Sequence, residues 1–263
     1  IRDSFRTYEN RNGLKLENVV HLAKAGDGGI WITPHHADPI HFDTRTQKFS
    51  TLSEMGVHLD YHSNLCAFED AGILYVGHNR GGLSMVDLKS KTVRRFFHDP
   101  ASPQSLPEDR VYAICKDRMG HIWVGTGRGL ALWNPFADNF TVFRHGRGNP
   151  SSLVSDCVYD ICEMADGKLW IACDMGGVSI LDLHQMAFKH PEEVVFENLL
   201  PEGDGKGLSS GNIRKILQDS FGNIWIGNYN SGLDFVSHNR PLFRTLGGKP
   251  AYGMYKDEEG RLW

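Results

Sequence analysis

The sequence predicts an all-β chain: a β-propeller of four-stranded antiparallel blades, about five of them complete, with partial blades at both ends. Three observations carry that expectation. One phrase recurs along the 263 residues, a glycine followed within one or two positions by an apolar–aromatic–apolar triplet. It reads Gly29-Ile30-Trp31-Ile32, Gly72-Ile73-Leu74-Tyr75-Val76, Gly120-His121-Ile122-Trp123-Val124, Gly167-Lys168-Leu169-Trp170-Ile171 and Gly222-Asn223-Ile224-Trp225-Ile226, and begins again at Gly260-Arg261-Leu262-Trp263. The aromatic positions fall 44, 48, 47, 55 and 38 residues apart, the period of propeller blades. Second, the intervening stretches are short β-prone runs punctuated by glycine, proline, asparagine and aspartate, with no sustained 3.6-residue period. Third, the strands differ in pattern. First strands such as Val111 to Cys115 are apolar nearly throughout, as between packed blades. Fourth strands such as Phe140-Thr141-Val142-Phe143 and Phe243-Arg244-Thr245-Leu246 alternate, as at an outer edge with one wet face.

Taken in order, residues 1–13 read as the outer strand of a preceding blade, because Phe5-Arg6-Thr7-Tyr8 alternates like the other fourth strands. Blades follow at 14–50, 51–97, 98–144, 145–197 and 198–246, and 247–263 opens a further one. The third repeat shows the plan: strand Val111–Lys116, turn Asp117–Gly120, strand His121–Gly125, turn Thr126–Gly129, strand Leu130–Asn134, turn Pro135–Asn139, strand Phe140–Phe143. A strand ending at Trp263 leaves an unpaired edge, so the chain is expected to be a fragment of a larger propeller lacking at least one blade.

Composition narrows the function classes. At 40% hydrophobic the chain can bury a sizeable core. A net charge of −4 argues against a nucleic-acid partner, which needs a basic stripe. No apolar run approaches a membrane span, and Ile1-Arg2-Asp3 does not open a signal peptide. Cys66, Cys115, Cys157, Cys162 and Cys173 are too few and scattered for a disulfide scaffold and match no zinc spacing. They read as small buried residues. No cofactor or metal is expected.

The aromatics Trp31, Tyr75, Trp123, Trp170 and Trp225 are expected to be structural wedges between blades, since the same slot recurs with aliphatic flanks. Burying about 200 Å² of ring at roughly 25 cal/mol per Å² gives on the order of 5 kcal/mol gross each. The second-turn glycines (Gly81, Gly82, Gly129, Gly176, Gly177, Gly232) supply turn backbone. Gly125-Thr126-Gly127-Arg128-Gly129 lies between two strands with no helix after it, so it is not a phosphate cradle.

The unit Asp117-x-x-Gly120-x-Ile122-Trp123-Val124-Gly125-Thr126-x-x-Gly129-Leu130, and Asp219-x-x-Gly222-Asn223-Ile224-Trp225-Ile226-Gly227 with Gly232-Leu233, resemble the two-component regulator propeller repeat. The resemblance extends along essentially the whole chain. The motif aspartate gives way to Ala25, Glu69 and Met164 in three repeats, and the first has Pro34-His35-His36 where Gly-x-x-Gly is usual. The resemblance implies the extracytoplasmic sensor region of a hybrid histidine kinase of polysaccharide-digesting Bacteroidetes. That parent would be an inner-membrane protein with this segment in the periplasm, joined to further propeller and signalling domains and open to homodimerisation. Asp-box propellers place the aspartate two residues before the glycine instead of three, and no Trp-Asp pair of the WD type occurs.

Because strands alternate in direction, second turns share a face with the long connections Phe97 to Arg110, Arg144 to Asp156 and Glu197 to Asn212. Irregular loops on a rigid frame are where binding residues concentrate. The candidate ligand-binding residues are therefore the second-turn set His35, His36, His78, Arg80, Arg128, Asp174, Asn228, Tyr229 and Asn230. Arg80 and Arg128 suit a carboxylate or sulfate, Tyr229 a sugar face, and Asn228 and Asn230 its hydroxyls. A metal at His35-His36 is disfavoured, since adjacent histidines in an extended segment point apart. Asp174 is the only acid among the second turns, and no nucleophile motif surrounds Ser63, Ser152 or Ser231, so no catalytic residue is assigned. The leading expectation is a non-catalytic sensor of an oligo- or polysaccharide or other small molecule. A propeller lyase resembling virginiamycin-B lyase and a protein-interaction scaffold are the alternatives.

Overall fold

Each repeat folds into one sheet because its four short strands are joined by turns that reverse the chain. In the computed structural model, which describes residues 7–8, 14, 16–61, 63–187, 190–202, 207–238, 240–246, 254 and 257, these sheets are five antiparallel blades of a β-propeller. The partial blades expected at 1–13 and 247–263 lie almost wholly outside those residues; Tyr8 is described, and its ring packs on Phe42 and Phe49.

The chain forms two compact units, residues 1–96 and 97–263. The first holds a blade of β1 (Val19–Lys24), β2 (Ile30–Pro34), β3 (Ile40–Asp43) and β4 (Lys48–Thr51), and a blade of β5 (Asn64–Asp70), β6 (Ile73–His78), β7 (Leu83–Asp87) and β8 (Thr92–Phe96). The second holds three. They are β9 (Val111–Lys116), β10 (Ile122–Thr126), β11 (Gly129–Asn134) and β12 (Asn139–Phe143); then β13 (Val158–Glu163), β14 (Lys168–Cys173), β15 (Gly177–Asp182) and β16 (Phe196–Leu199); then β17 (Ile213–Gln218), β18 (Ile224–Asn228), β19 (Leu233–Ser237) and β20 (Arg240–Leu246). In the middle one, two short 3-10 turns, Leu183–Ala187 and Pro191–Glu193, fill the connection from β15 to β16.

The motif glycine of the first turn has a mechanical reason. Gly28, Gly72, Gly120, Gly167 and Gly222 all adopt φ between 80° and 93°, a region that a side chain disfavours. The motif aspartate closes the same turn. Asp117 Oδ1 accepts the backbone N–H groups of Met119 (3.0 Å) and His121 (2.9 Å), while Oδ2 accepts Trp123 Nε1–H at 2.8 Å. Asp219 repeats this with Phe221, Asn223 and Trp225. The repeat thus ties its turn to its own buried indole.

Three of the repeated aromatics lie in cores shared by two blades. Trp31 belongs to a core of both blades of the first unit, with Leu52, Ala67, Leu74 and Val76. Trp123 joins a core with Ile161, Leu169 and Ile171 of the next blade, and Trp170 one with Ile213, Ile216 and Ile226 of the blade after. Tyr75 is buried, and Trp225 is half-buried against Phe235 at 4.5 Å between centroids. Polar ties reinforce the seams of the second unit. Arg118 donates to Glu163 and to the carbonyls of Met164 and Ala165, and Ala165 N–H donates to Gln218 Oε1 at 2.7 Å.

Two of the long connections are not the irregular loops expected from their composition. In the first, His98 N–H donates to Asp109 Oδ1 (2.6 Å), His98 Nδ1 meets Leu106 O (2.8 Å) and Asp99 N–H donates to Ser105 Oγ. In the second, His145, Asp156, Leu153, Gly146 and Ser152 make the same three bonds at 2.6, 2.8 and 2.8 Å. Leu106 and Leu153 are fully buried beneath. A His-x6-Ser-Leu-x2-Asp spacing in both connections carries the motif.

Candidate functional site

Every second turn is held to the entry of its own inner strand by one bond. The N–H groups of His35, Asn79, Gly127, Asp174 and Tyr229 donate to the carbonyls of Asn18, Ser63, Arg110, Cys157 and Asn212, at 2.6–3.2 Å. This bond fixes which second-turn side chains reach outward. The residue before it, at the end of the second strand, is Pro34, His78, Thr126, Cys173 or Asn228; all five are buried, the last four at 0% exposure.

That register corrects two of the candidate binding residues. His78 lies inside the blade, with Nδ1 2.9 Å from Asn64 Oδ1 and Nε2 2.8 Å from Ser84 Oγ. Asn228 donates to Ser209 Oγ (3.2 Å) and Asp234 Oδ2 (3.1 Å), also inside. Neither offers a group to a ligand in solution. Asn64, His78 and Ser84 form a relay of base, orienter and hydroxyl, but all three are sealed from solvent. His35 and His36 differ in another way: they sit in a turn instead of an extended segment, so their rings lie 4.0 Å apart, tilted by 54°, instead of pointing apart. Burial, and then the His36 charge beside it, lowers the His35 pKa from its ordinary value. Arg80, Arg128 and Asn230 are exposed, Asp174 is half-buried and Tyr229 is 42% exposed.

A second row of residues escaped the sequence reading. The pairing register of each inner strand slips near its start, between Val19 and His21, Asn64 and Cys66, Val158 and Asp160, and Ile213 and Lys215. In the third blade it slips between Val111 and Ala113, opposite Gly125 and Thr126. Val20, Leu65, Tyr112, Tyr159 and Arg214 are therefore bulged out of their ladders, the device that re-aims side chains at functional sites. The repeated Val111-Tyr112 and Val158-Tyr159 pairs were the available sign.

In the second unit the bulged residues stack. Tyr112 lies on Tyr159 (4.2 Å between centroids, 28°), and the Arg214 guanidinium carbon sits 3.8 Å from the Tyr159 centroid and 4.6 Å from that of Tyr229. Arg214 also donates to Asp174 Oδ1 at 2.9 Å, and Arg110 reaches the Tyr112 hydroxyl at 3.5 Å. Burial raises the Tyr159 pKa and pushes the Cys157 thiol up to about 11, so this row holds neutral groups alongside fixed cations. In the first unit the equivalent Val20 and Leu65 join Asn18, Val19, His35 and His36 around an open cavity of about 480 Å³. Among the described residues no group of three His, Cys, Asp or Glu could hold a metal ion.

Five four-stranded antiparallel blades, two of them tied by a turn aspartate to their own tryptophan, define a repeat-built β-propeller. Two of its repeats match the model of the two-component regulator propeller family, over residues 105–128 and 207–230. Both matched segments run from the loop that carries the buried leucine to the second turn. No curated protein sequence matches the chain. Among solved structures, it is similar to the extracellular domain of a protein assigned to a hybrid two-component system of B. thetaiotaomicron. That pair is 22% identical with a TM-score of 0.71, over 93% of this chain and 32% of the other. A second B. thetaiotaomicron extracellular domain, assigned to a one-component system, matches at 17% identity and TM-score 0.61, over 93% and 40%. PorZ of Porphyromonas gingivalis, a surface component of the type-IX secretion system, matches at 13% and 0.66, over 94% and 38%. The chain spans about a third of the length of these structures.

Proposed function

We propose that the chain is a ligand-sensing segment of an extracytoplasmic receptor in a hybrid two-component system, and that its ligand is an oligo- or polysaccharide. The observation that carries this reading is the bulged row. The same backbone device recurs in all five blades, yet the side chains it aims differ from blade to blade: valine, leucine, tyrosine, tyrosine, arginine. A constant frame with variable chemistry at one level is how a repeat protein builds a reader. Tyrosine faces and arginine donors suit saccharide rings and hydroxyls. The similarity to extracellular domains of two-component systems supports the location and the signalling role, and no helix among the described residues is long and apolar enough to cross a membrane. Signal would pass as a change in packing against adjoining propeller and signalling domains or a second copy, which requires that the ligand bind one arrangement more tightly than another.

Titration calorimetry of the chain against neutral and acidic oligosaccharides tests the reading. Saturable binding that is weakened by substituting row residues supports it. Metal-dependent turnover of a substrate, or capture of a protein partner without any saccharide binding, would replace it with the lyase or scaffold reading.

A further inference from the structure

The first residues of the second unit hold an unsatisfied group beside the row. Glu108 is half-buried, and its Oε2 is shut off from solvent without a hydrogen-bond partner among the described residues. A Cβ placed on Gly127 would fall 2.5 Å from that oxygen and 3.8 Å from Tyr112 Cε2, so Glu108, Tyr112 and the bare Gly127 border one notch. Tyr159 covers one face of the Tyr112 ring, and among the described residues no ring covers the other. Arg110 Nη1 reaches the hydroxyl of the same phenol at 3.5 Å. A carboxylate oxygen that has lost water without gaining a donor costs about 1–3 kcal/mol or more. Turning the carboxyl out of the notch toward a hydroxyl relieves that cost.

We propose that this notch is a subsite for a neutral hydroxylated ring: a sugar whose hydroxyls donate to Glu108 and accept from Arg110 while its apolar face lies on Tyr112. The proposal rests on the saccharide reading above and narrows it to uncharged units at this position. A uronate or sulfate would bring its charge against Glu108, whereas a neutral ring offers the donors that the orphaned oxygen lacks. Gly127 is bare because any side chain there would press on Glu108 and fill the space the ring uses.

The test is calorimetric, on the whole chain, with maltohexaose, xylohexaose and a galacturonate hexamer as probes, for the native sequence, Glu108→Gln and Gly127→Ala. In Gly127→Ala the added methyl meets only the far end of a flexible side chain, so melting temperature is expected to hold and serves as the control on folding. The expected result is binding of a neutral hexamer, weakened about tenfold or more in both variants. Neutral binding that both variants leave unchanged, or binding of the galacturonate alone, overturns the subsite while the sensor reading stands. Failure of all three probes to bind overturns the subsite and the saccharide reading together.

Discussion

The indole N–H of Trp31 donates to Glu69 Oε2 at 2.5 Å, although the two residues belong to different blades. Each is the irregular member of its repeat. The first repeat has Ala25 where a turn aspartate would hold its tryptophan, and the second has Glu69 in that slot opposite a tyrosine. One methylene longer than aspartate, the glutamate reaches across the seam and accepts the bond that the neighbour lacks. Gly26 permits the approach, since a Cβ there would lie 2.8 Å from Glu69 Oε1.

Glu69→Ala leaves a buried indole N–H without an acceptor and is expected to cost about 1–3 kcal/mol. Glu69→Gln keeps a carbonyl oxygen in reach and should cost less than half of that. Urea denaturation followed by tryptophan emission compares them; a glutamine variant as unstable as the alanine one would show that the bond is not what matters.

Asp117 satisfies two backbone N–H groups and the Trp123 indole, so Asp117→Ala strands three donors at once. A loss of about 3 kcal/mol or more is expected, larger than for Glu69→Ala. A smaller loss, measured by the same denaturation, would mean that water replaces the carboxylate in the turn.

Asp219 gives the fold an acid limb. Burial alone would raise its pKa, but the bonds from Trp225, Asn223 and Phe221 outweigh it and hold the group below the ordinary carboxylate value. A depressed folded-state pKa contributes stability that is present above the unfolded value near 3.8 and is lost as pH falls through the folded one. Melting temperature should therefore fall below about pH 4, and Asp219→Asn should be less stable at neutral pH with a flatter acid limb. Parallel limbs for the two proteins would remove Asp219 as the cause.

Burial pushes the thiols of Cys115 and Cys173 up to about 12 and that of Cys157 up to about 11, and none of the five cysteines is in a disulfide. Thiolate at pH 7.5 is then negligible at these three positions. Peptide mapping after iodoacetamide treatment should find them unmodified in the native chain and alkylated after denaturation. Rapid native labelling of Cys157 would show that the entry to β13 opens.

His78→Ala and Leu153→Ala are expected to act on stability, by about 2–5 kcal/mol for the leucine and by the loss of two buried hydrogen bonds for the histidine. Neither should change saccharide affinity once the protein is folded. A histidine variant that melts normally but binds tenfold more weakly would return His78 to the candidate site.

Much of this architecture was legible because it is written in local chemistry. The glycine that takes positive φ, the aspartate two and four residues before the turn N–H groups it accepts, and the aromatic in a fixed slot all act within a dozen residues, so the repeat announces itself. The His-x6-Ser-Leu-x2-Asp staple was equally local, but its polar residues look like those of any wet loop until Leu106 and Leu153 are seen to be buried. His78 and Asn228 were misplaced for a different reason. A strand pattern shows which residues alternate, but a single residue of shift at the turn decides which of two neighbours faces inward.

The sequence by itself determined the all-β class and the four-stranded blades, since turn chemistry and strand periodicity depend on neighbours along the chain. Only the tertiary structure decided that Glu69 serves another blade's tryptophan, that Tyr112, Tyr159, Arg214 and Tyr229 share one stack, and that Glu108 Oε2 has no donor among the described residues. The pairs Trp31–Glu69, Tyr112–Tyr159 and Tyr159–Arg214 join residues of different blades, set by bulges and seams whose energies come from packing between sheets, which no local pattern records.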